Sequence, residues 1–219
     1  MSRKEHAAEN LRPALIEAAA RLIATEGASG LTLRRVADAV GTSTMAIYTH
    51  FGGMPELRRA VRREGFARLA ARAAQMEESD DPVADLATLG IEYNENALSN
   101  PHLYRVMFME QPLDETDADA GTETSEILVA GVQRCIDAGR FVQDDAARLA
   151  TQFWALGHGV ISLQLANLLS AEEALDCSSR ALLNLFSAWG DDREAALRSL
   201  ESAGRRAGLG LAHRDTVPP

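Results

Sequence analysis

The chain has 219 residues, 46% of them apolar and 25% charged, which is an ordinary globular composition. No run approaches the roughly 20 apolar residues of a membrane span, and the first ten residues lack the apolar region of a secretion signal, so we expect a cytoplasmic protein without a membrane partner. The net charge of −10 is uneven, because residues 1–75 hold 12 Lys and Arg against seven Asp and Glu, whereas the remainder holds 10 against 25. A basic N-terminal part of this kind can meet a polyanion such as DNA, since affinity for DNA depends on local phosphate neutralisation.

Helices are predicted along the whole chain. In the N-terminal part, apolar residues recur at helical spacing in four segments, at about 11–27, 33–40, 44–51 and 55–76. Thr32 is suited to cap the second segment and Ser43 or Thr42 the third, while Gly41 allows the tight turn between them.

The C-terminal part follows an acidic, proline-containing gap, ESDDP, and is also predicted to be helical. Its helices are expected at about 82–98, 102–109, 124–138, 144–169, 171–189 and 191–203. The polar and acidic stretch 111–123 is predicted to be a loop or a poorly ordered segment. The sequence thus predicts an all-α protein with an N-terminal domain at 9–69, a second domain at 80–204 and a disordered tail at 205–219.

The segment LTLRRVADAVGTSTMAIYTHFGGMPEL indicates two short helices joined by a glycine-bearing turn, which is a helix-turn-helix at about 32–51. In such a motif the second helix enters the major groove of DNA. Hydroxyl, thioether and basic side chains suit base edges, thymine methyl groups and phosphates. The residues predicted to contact DNA are Thr32, Arg34, Arg35, Thr42, Ser43, Thr44, Met45, Tyr48, Thr49 and His50. A three-helix packing unit without a ligand is the alternative.

The longer run ALIEAAARLIATEGASGLTLRRVADAVGTSTMAIYTHF resembles the N-terminal domain of TetR-family transcriptional regulators. The matching features are the leading amphipathic helix, the Glu-Gly pair before the turn, the TLxxVAxxVG core and the YxHF ending. The resemblance implies a repressor that binds a palindromic or near-palindromic operator as a homodimer, with a pocket for a small-molecule effector in the C-terminal domain. Its fourth helix would join the two domains.

One position departs from the family pattern. TetR-family proteins often have a lysine just before the fourth helix, where it binds phosphate, and this chain has Met54 there. Backbone N–H groups at the start of that helix could still hold the phosphate. Arg34 and Arg35, or Arg3 and Lys4 in a flexible arm, are candidates for the missing charge, and a solvated helix face is the alternative.

Two C-terminal segments, ATQFWALGHGVISLQLAN and NPHLYRVMF, look like parts of the WHG-type subgroup of TetR C-terminal domains. Their aromatic and apolar side chains could line a mostly apolar cavity, with a histidine or tyrosine as the orienting polar group. The predicted effector-binding residues are Tyr93, Tyr104, Met107, Phe108, Phe153, Trp154 and His158. Core packing is the alternative for each of them.

The last two long helices carry more apolar residues than one subunit should need, and in the family such helices pair into a four-helix dimer interface. The residues that suit this interface are Leu165, Leu168, Leu182, Leu185, Phe186 and Trp189. Burial within the subunit is the alternative.

Two other classes of function remain as alternatives, an enzyme and a redox sensor. A helical-bundle enzyme would need a nucleophile with its base, a phosphate-binding loop or a metal cluster, and no such motif is present. We therefore expect neither enzymatic activity nor a cofactor, and no metal, because the five histidines show no paired spacing. A thiol-based redox sensor would have to use Cys135 and Cys177, whose mostly apolar neighbours favour packing instead.

Overall fold

A computed structural model describes residues 3–208, with side chains from Leu11 onwards. These residues form eleven α-helices and no strand, so the predicted all-α fold is confirmed. The helices are α1 Arg3–Glu26, α2 Leu33–Val40, α3 Thr44–Phe51, α4 Met54–Ala73, α5 Pro82–Ser99, α6 Pro101–Phe108, α7 Glu115–Ala118, α8 Thr122–Asp137, α9 Ala146–Leu165, α10 Ala171–Ala188 and α11 Arg193–Arg206. Within the described part of the chain, none of them is long and apolar enough to cross a membrane.

The described chain divides into two compact units. The first contains the residues up to Ala71 together with Ser99–Thr124, and the second contains Arg72–Leu98 together with the residues from Ser125 onwards. The domain boundaries predicted from the sequence, 9–69 and 80–204, differ from this division, because the segment Ser99–Thr124 belongs to the first unit.

In the first unit, α1 packs against both α2 and α6. Its core is formed by the apolar faces of these helices and of α3 and α4, including Leu15, Ile16, Ile23, Val36, Ile47, Leu57, Val61, Leu103 and Val106. Gly65 of α4 permits the close approach of α6, since a Cβ there would lie only 2.5 Å from Sδ of Met107. The contribution of α6 to this core explains why residues 99–124 belong to the first unit.

Local signals determine the helix-turn-helix. Thr32 and Ser43 are the N-caps of α2 and α3, as predicted. Gly41 ends α2 with a φ of +73°, a left-handed conformation that an L-residue with a Cβ rarely adopts.

The stretch predicted to be a loop is partly helical. Residues 115–118 form α7, a 3-10 turn follows, and α8 already begins at Thr122. Asp114 caps α7 by accepting a hydrogen bond from the backbone of Asp117, and the Asp117 side chain is buried beside Arg62. Asp117 is buried and pairs with Arg62, and the exposed Asp114 pairs with Arg59, so these contacts connect the stretch to α4 despite its polar composition.

The second unit has its own core, formed by α5, α8, α9, α10 and α11. Phe153 and Phe186 stack with parallel rings 6.2 Å apart, and Trp189 packs beside them. Phe186 and Trp189 were predicted to be suitable for a dimer interface, but both are buried in this core, and Leu182 and Leu185 pack against it. The apolar excess of α10 therefore serves its own subunit to a large extent.

Helix α11 extends into the predicted tail. It ends at Arg206, so residues 205 and 206 of the predicted tail are helical. The Arg206 guanidinium donates to Asp85 at 2.8 Å and to Ser79 at 2.9 Å, and Asp85 also pairs with Arg134 at 3.2 Å. Burial alone would raise the pKa of Asp85, but hydrogen bonds from Ser79, Arg206 and Arg134 lower it below its ordinary value. This group of charges fastens the last helix, and the predicted tail from residue 209 onwards lies outside the described residues.

Candidate nucleic-acid interface and effector-binding residues

Helix α3 has one buried side and one exposed side. Ile47 and Phe51 are buried in the core of the first unit, whereas Met45 is 69% and Tyr48 51% exposed. Thr44 is exposed beside them. The second helix of the motif therefore presents a thioether, a phenol and a hydroxyl outwards, and these groups can contact base edges and thymine methyl groups in a major groove.

The predicted hydroxyl groups differ in their engagement. Thr32 and Ser43 each accept a hydrogen bond from a backbone N–H three residues further on, at 3.3 and 3.4 Å. The Thr49 hydroxyl donates to the carbonyl one turn earlier, at 3.0 Å. The hydroxyls of Thr44 and Tyr48 form no hydrogen bond with another described residue. They can therefore bind DNA without breaking a hydrogen bond within the described part of the chain.

The two predicted arginines also differ. Arg34 is exposed, and its Nε lies 3.8 Å from the equally exposed Asp38. Arg35 donates to both oxygens of Glu26 and, at 3.0 Å, to the carbonyl of Gly30, and the hydrogen bond from Arg35 holds the pKa of Glu26 below its ordinary value. Arg35 thus ties the turn before the motif to α1, and Arg34 is the more available of the two for a phosphate.

Thr42 and His50, the remaining predicted contacts, are half-buried, and the His50 ring lies 6.3 Å from that of Phe51. Met54, at the start of α4, is partly buried and packs against the core of the first unit. Its apolar side chain serves packing, and it provides no charge for a phosphate at this point.

Three predicted effector-binding residues meet in the second unit. Trp154 donates from its indole Nε1 to the Tyr93 hydroxyl at 3.1 Å, and that hydroxyl lies 3.3 Å from Nδ1 of His158. The Trp154 and His158 rings are 5.3 Å apart. Burial lowers the pKa of His158 below its ordinary value, so the neutral imidazole is favoured. This cluster joins α5 to α9 and combines aromatic surface with hydrogen-bonding groups.

Phe153 has a packing role in the same unit. Its ring is buried against Phe186, and it lies so close to α5 that a Cβ on Gly90 would be 2.9 Å from its Cζ. Gly90 therefore makes room for this ring.

The other three predicted effector-binding residues belong to the first unit. Tyr104 and Met107 are buried, and Phe108 is half-buried. The Phe108 ring lies 5.0 Å from that of Tyr104 and 5.5 Å from that of Phe66, the latter edge-on. Within their own unit these side chains form an aromatic group between α4 and α6.

Both parts of the chain match families of known proteins. A family model described as "Bacterial regulatory proteins, tetR family" matches residues 15–61, and one described as "Tetracyclin repressor-like, C-terminal domain" matches residues 86–186. The chain belongs to the TetR family.

Individual relatives agree with this assignment. The HTH-type transcriptional repressor AcnR of Corynebacterium efficiens is 39% identical over 66 residues, which cover 30% of this chain and 35% of that repressor. The chain thus spans about a third of the length of this relative. An uncharacterized HTH-type transcriptional regulator of Mycobacterium tuberculosis is 26% identical over 157 residues, 70% of each chain. A solved structure of a protein of unknown function from Rhodococcus sp. RHA1 has a TM-score of 0.70 at 25% identity and covers 83% of this chain and 96% of its own.

The family matched by the N-terminal part is one of bacterial regulatory proteins. The first family match contains α2 and α3 entirely, so the exposed face of α3 lies within the part of the chain that matches these regulatory proteins. The second match contains the segment with Trp154 and His158. Among the described residues, no group of three His, Cys, Asp or Glu side chains is placed to hold a metal ion.

The sequence did not predict a buried clamp in the first unit of this TetR-family protein. Arg62 of α4 donates to the carbonyls of Met107 and Glu110, both at 2.6 Å, and its Nε lies 3.3 Å from Asp117. Burial lowers the pKa of Arg62, and the attraction of Asp117 opposes that effect. The only sequence signal was an arginine-rich run in α4 and an acidic stretch about 50 residues later. Nothing in their spacing pairs the two.

A small cleft of about 10 Å³ lies beside this clamp, between residues of α1, α4, α6 and α7. Asp117 lines it, and the Oδ1 atom of Asp117 is buried and accepts no hydrogen bond from the described residues. The volume suits a single water molecule, which could donate to that oxygen.

Proposed function

We propose that this TetR-family regulator is a repressor that binds a palindromic or near-palindromic DNA operator as a homodimer and leaves it when a small, mostly apolar effector binds. The exposed face of α3 carries the proposal. A solvent-facing helix ordinarily turns charged or polar residues outwards, whereas α3 turns out Met45 and Tyr48 beside Thr44. These groups have a use if a major groove covers them.

Each exposed group has a distinct partner in DNA. The Met45 methyl group suits a thymine methyl, and the hydroxyls of Thr44 and Tyr48 can donate to or accept from base edges and phosphate oxygens. Arg34, exposed on α2, suits a backbone phosphate. Thr32 and Ser43 hold the two helices in position as their N-caps.

Dimerisation is proposed because one helix of eight residues reads only a few base pairs, and twofold pairing doubles the site. We assign the interface to α9 and α10. Leu168, which follows α9, is 70% exposed, and Leu163 of α9 is also exposed. Exposed leucines of this kind near the end of a long helix favour a second copy as their partner.

The effector is proposed to contact the cluster of Tyr93, Trp154 and His158. The cluster offers aromatic surface together with polar groups that can orient a ligand. An anionic effector is disfavoured, because residues 76–219 carry 25 acidic against 10 basic side chains. Helix α4 begins three residues after α3 ends, and the chain passes into the second unit in the last turn of α4, so we assign the transmission of the signal to this helix.

The DNA-binding proposal is tested by replacing Thr44 and Tyr48 singly with alanine. Each variant should bind the duplex that the parent protein selects from a random pool more weakly, by on the order of 1–3 kcal/mol, which is the size of one good base or phosphate contact. Helicity by circular dichroism and mass in sedimentation should not change, because both side chains are exposed.

The matched control is Glu77→Ala, which removes an exposed side chain beyond α4 and should leave affinity unchanged. If both α3 variants bind the selected duplex as tightly as the parent, α3 is not the reading helix.

A further inference from the structure

Arg12 of α1 lies against the end of the proposed recognition helix. Its guanidinium carbon is 5.2 Å from the centroid of the Phe51 ring, and Phe51 is the last residue of α3. Arg12 is exposed, whereas Phe51 is buried. A guanidinium over an aromatic face is held there by the ring quadrupole, so Arg12 is a positioned cation and not a freely moving one.

The contact with Phe51 leaves the hydrogen-bonding capacity of Arg12 intact. A cation–π contact occupies none of the five N–H donors of a guanidinium with an acceptor, and because Arg12 is exposed these donors can reach an oxygen outside the protein. A planar fork of donors can bind two oxygens of one phosphate. The ends of a helix in the major groove lie close to the backbone strands that border the groove, and phosphates at these points fix the orientation of the protein.

Several other arginines around the motif are held in ion pairs, whereas Arg34 stays exposed on α2. Arg35 pairs with Glu26, Arg59 with Glu56 and Asp114, Arg62 with Asp117, and Arg68 with Glu17 and Glu64. Arg12 forms no ion pair with any side chain from Leu11 onwards. Met54, three residues after Phe51, provides no charge at this end of α3.

We propose that Arg12 contacts a phosphate of the DNA backbone at the C-terminal end of α3 and that Phe51 positions it for this purpose. This assignment rests on the proposed DNA binding through α3. It adds α1 to the interface, and it gives each subunit one charged contact that does not depend on base sequence.

The competing explanation is that Arg12 only stabilises the packing of α1 on α3. The two explanations differ in their salt dependence. A phosphate contact releases a counterion, and the slope of log K against log salt then changes by about 0.9 for each phosphate lost. A packing contact changes the stability of the fold and leaves that slope as it was.

The experiment compares the parent with Arg12→Met, Arg12→Lys and, as a matched control, Arg21→Met. Methionine keeps an unbranched stem against the Phe51 ring and removes the charge. Arg21 is an exposed arginine two and a half turns further along α1, on the opposite side of the helix. Affinity for the duplex selected by the parent and for an unrelated duplex is measured by fluorescence anisotropy over a series of salt concentrations, together with the melting temperature of each variant.

For Arg12→Met we expect binding to both duplexes to weaken by a similar factor, and the salt slope of the dimer to become shallower by about two, one phosphate per subunit. Arg12→Lys should keep the slope, and Arg21→Met should behave as the parent.

An unchanged slope for Arg12→Met, with or without a lower melting temperature, would overturn the proposal and leave Arg12 a packing residue. If the parent selects no duplex at all, the proposed DNA binding fails and this inference fails with it. If the parent selects a duplex and only the Arg12 result is negative, the proposed function stands.

Discussion

The two cysteines of this chain occupy opposite environments. Cys135 is fully buried in the core of the second unit, and Cys177 is exposed on α10. Burial raises the pKa of the Cys135 thiol to about 12, and the nearby Arg140 and Arg134 lower it only in part. Since the thiolate is the reactive form, a thiol with this pKa reacts very little at neutral pH. The environment of Cys135 therefore opposes the redox-sensor hypothesis.

We expect the thiol of Cys135 to be unreactive in the native protein. In a Cys177→Ser variant, native Cys135 should resist alkylation by iodoacetamide and become modified only as fast as the protein unfolds, as followed by mass spectrometry. The same variant in denaturant should react completely, which controls for the competence of the thiol. Rapid, stoichiometric modification of native Cys135 that also abolishes DNA binding would instead support a redox sensor.

Gly159 of α9 has no packing role among the described residues of its own subunit. It lies inside the 20-residue helix α9, where glycine costs about 1 kcal/mol relative to alanine. A Cβ added there would meet no atom within 4 Å, whereas one on Gly157 would touch Tyr93 at 3.8 Å. Ala155, Gly159 and Leu163 are all exposed and lie four residues apart, on one side of the helix. Close approach of a helix of a second subunit at this stripe would explain why the position has no side chain.

The Gly159→Leu variant should therefore show whether a helix of a second subunit packs against this stripe. Leucine is nearly as good a helix former as alanine, so the variant should match or exceed the parent in free energy of unfolding per subunit. If a partner helix packs at Gly159, dimerisation should weaken at least tenfold in sedimentation equilibrium, because the added side chain has no space at the crossing.

The matched control is Ala147→Leu, which places the same side chain at an exposed position in the first turn of α9. It should leave dimerisation unchanged. A Gly159→Leu protein that dimerises as tightly as the parent would remove α9 from the proposed interface.

The features that the sequence predicted well depend on neighbours along the chain. The caps Thr32 and Ser43 and the turn at Gly41 act within three or four residues, so their patterns suffice to locate α2 and α3. The helical spacing of apolar residues likewise separates buried Ile47 from exposed Tyr48. The exposed face of α3 was predictable for this reason.

The features that the sequence did not predict depend on pairs far apart in the chain. The stretch containing Asp117 is ordered by Arg62, 55 residues earlier, and the end of α11 by the contact of Arg206 with Asp85, 121 residues away. The polar composition of the first stretch predicted a loop or a poorly ordered segment, and the end of α11 fell within the predicted disordered tail. Arg12 and Phe51 likewise approach each other across 39 residues, and no spacing rule connects a leading helix to the end of a recognition helix.

The chain passes between the two units after Ala71, after Leu98 and after Thr124, and the first and last of these points lie inside α4 and α8. A ligand can release DNA only if it binds the DNA-incompetent arrangement more tightly than the competent one. A dimer that reads two half-sites needs its recognition helices about 34–36 Å apart, so under the proposed function we expect a small movement transmitted through α4 to end binding.

Trp154 is 39% exposed and donates a hydrogen bond to the Tyr93 hydroxyl, so a ligand can reach its indole ring. A panel of small aromatic and aliphatic compounds, screened by thermal shift on the parent, should yield ligands that raise its melting temperature and release the selected duplex. In Trp154→Ala these ligands should bind at least about tenfold more weakly, because an indole contributes a large apolar contact area. DNA affinity without ligand should stay near that of the parent, since Trp154 lies outside the helix-turn-helix.

Trp189→Phe keeps an aromatic ring in the core and serves as the control, with an unchanged ligand response. If Trp154→Ala unfolds or no longer dimerises, Trp154 is a structural residue, and the assignment of the effector site to this cluster fails even though the regulator binds DNA.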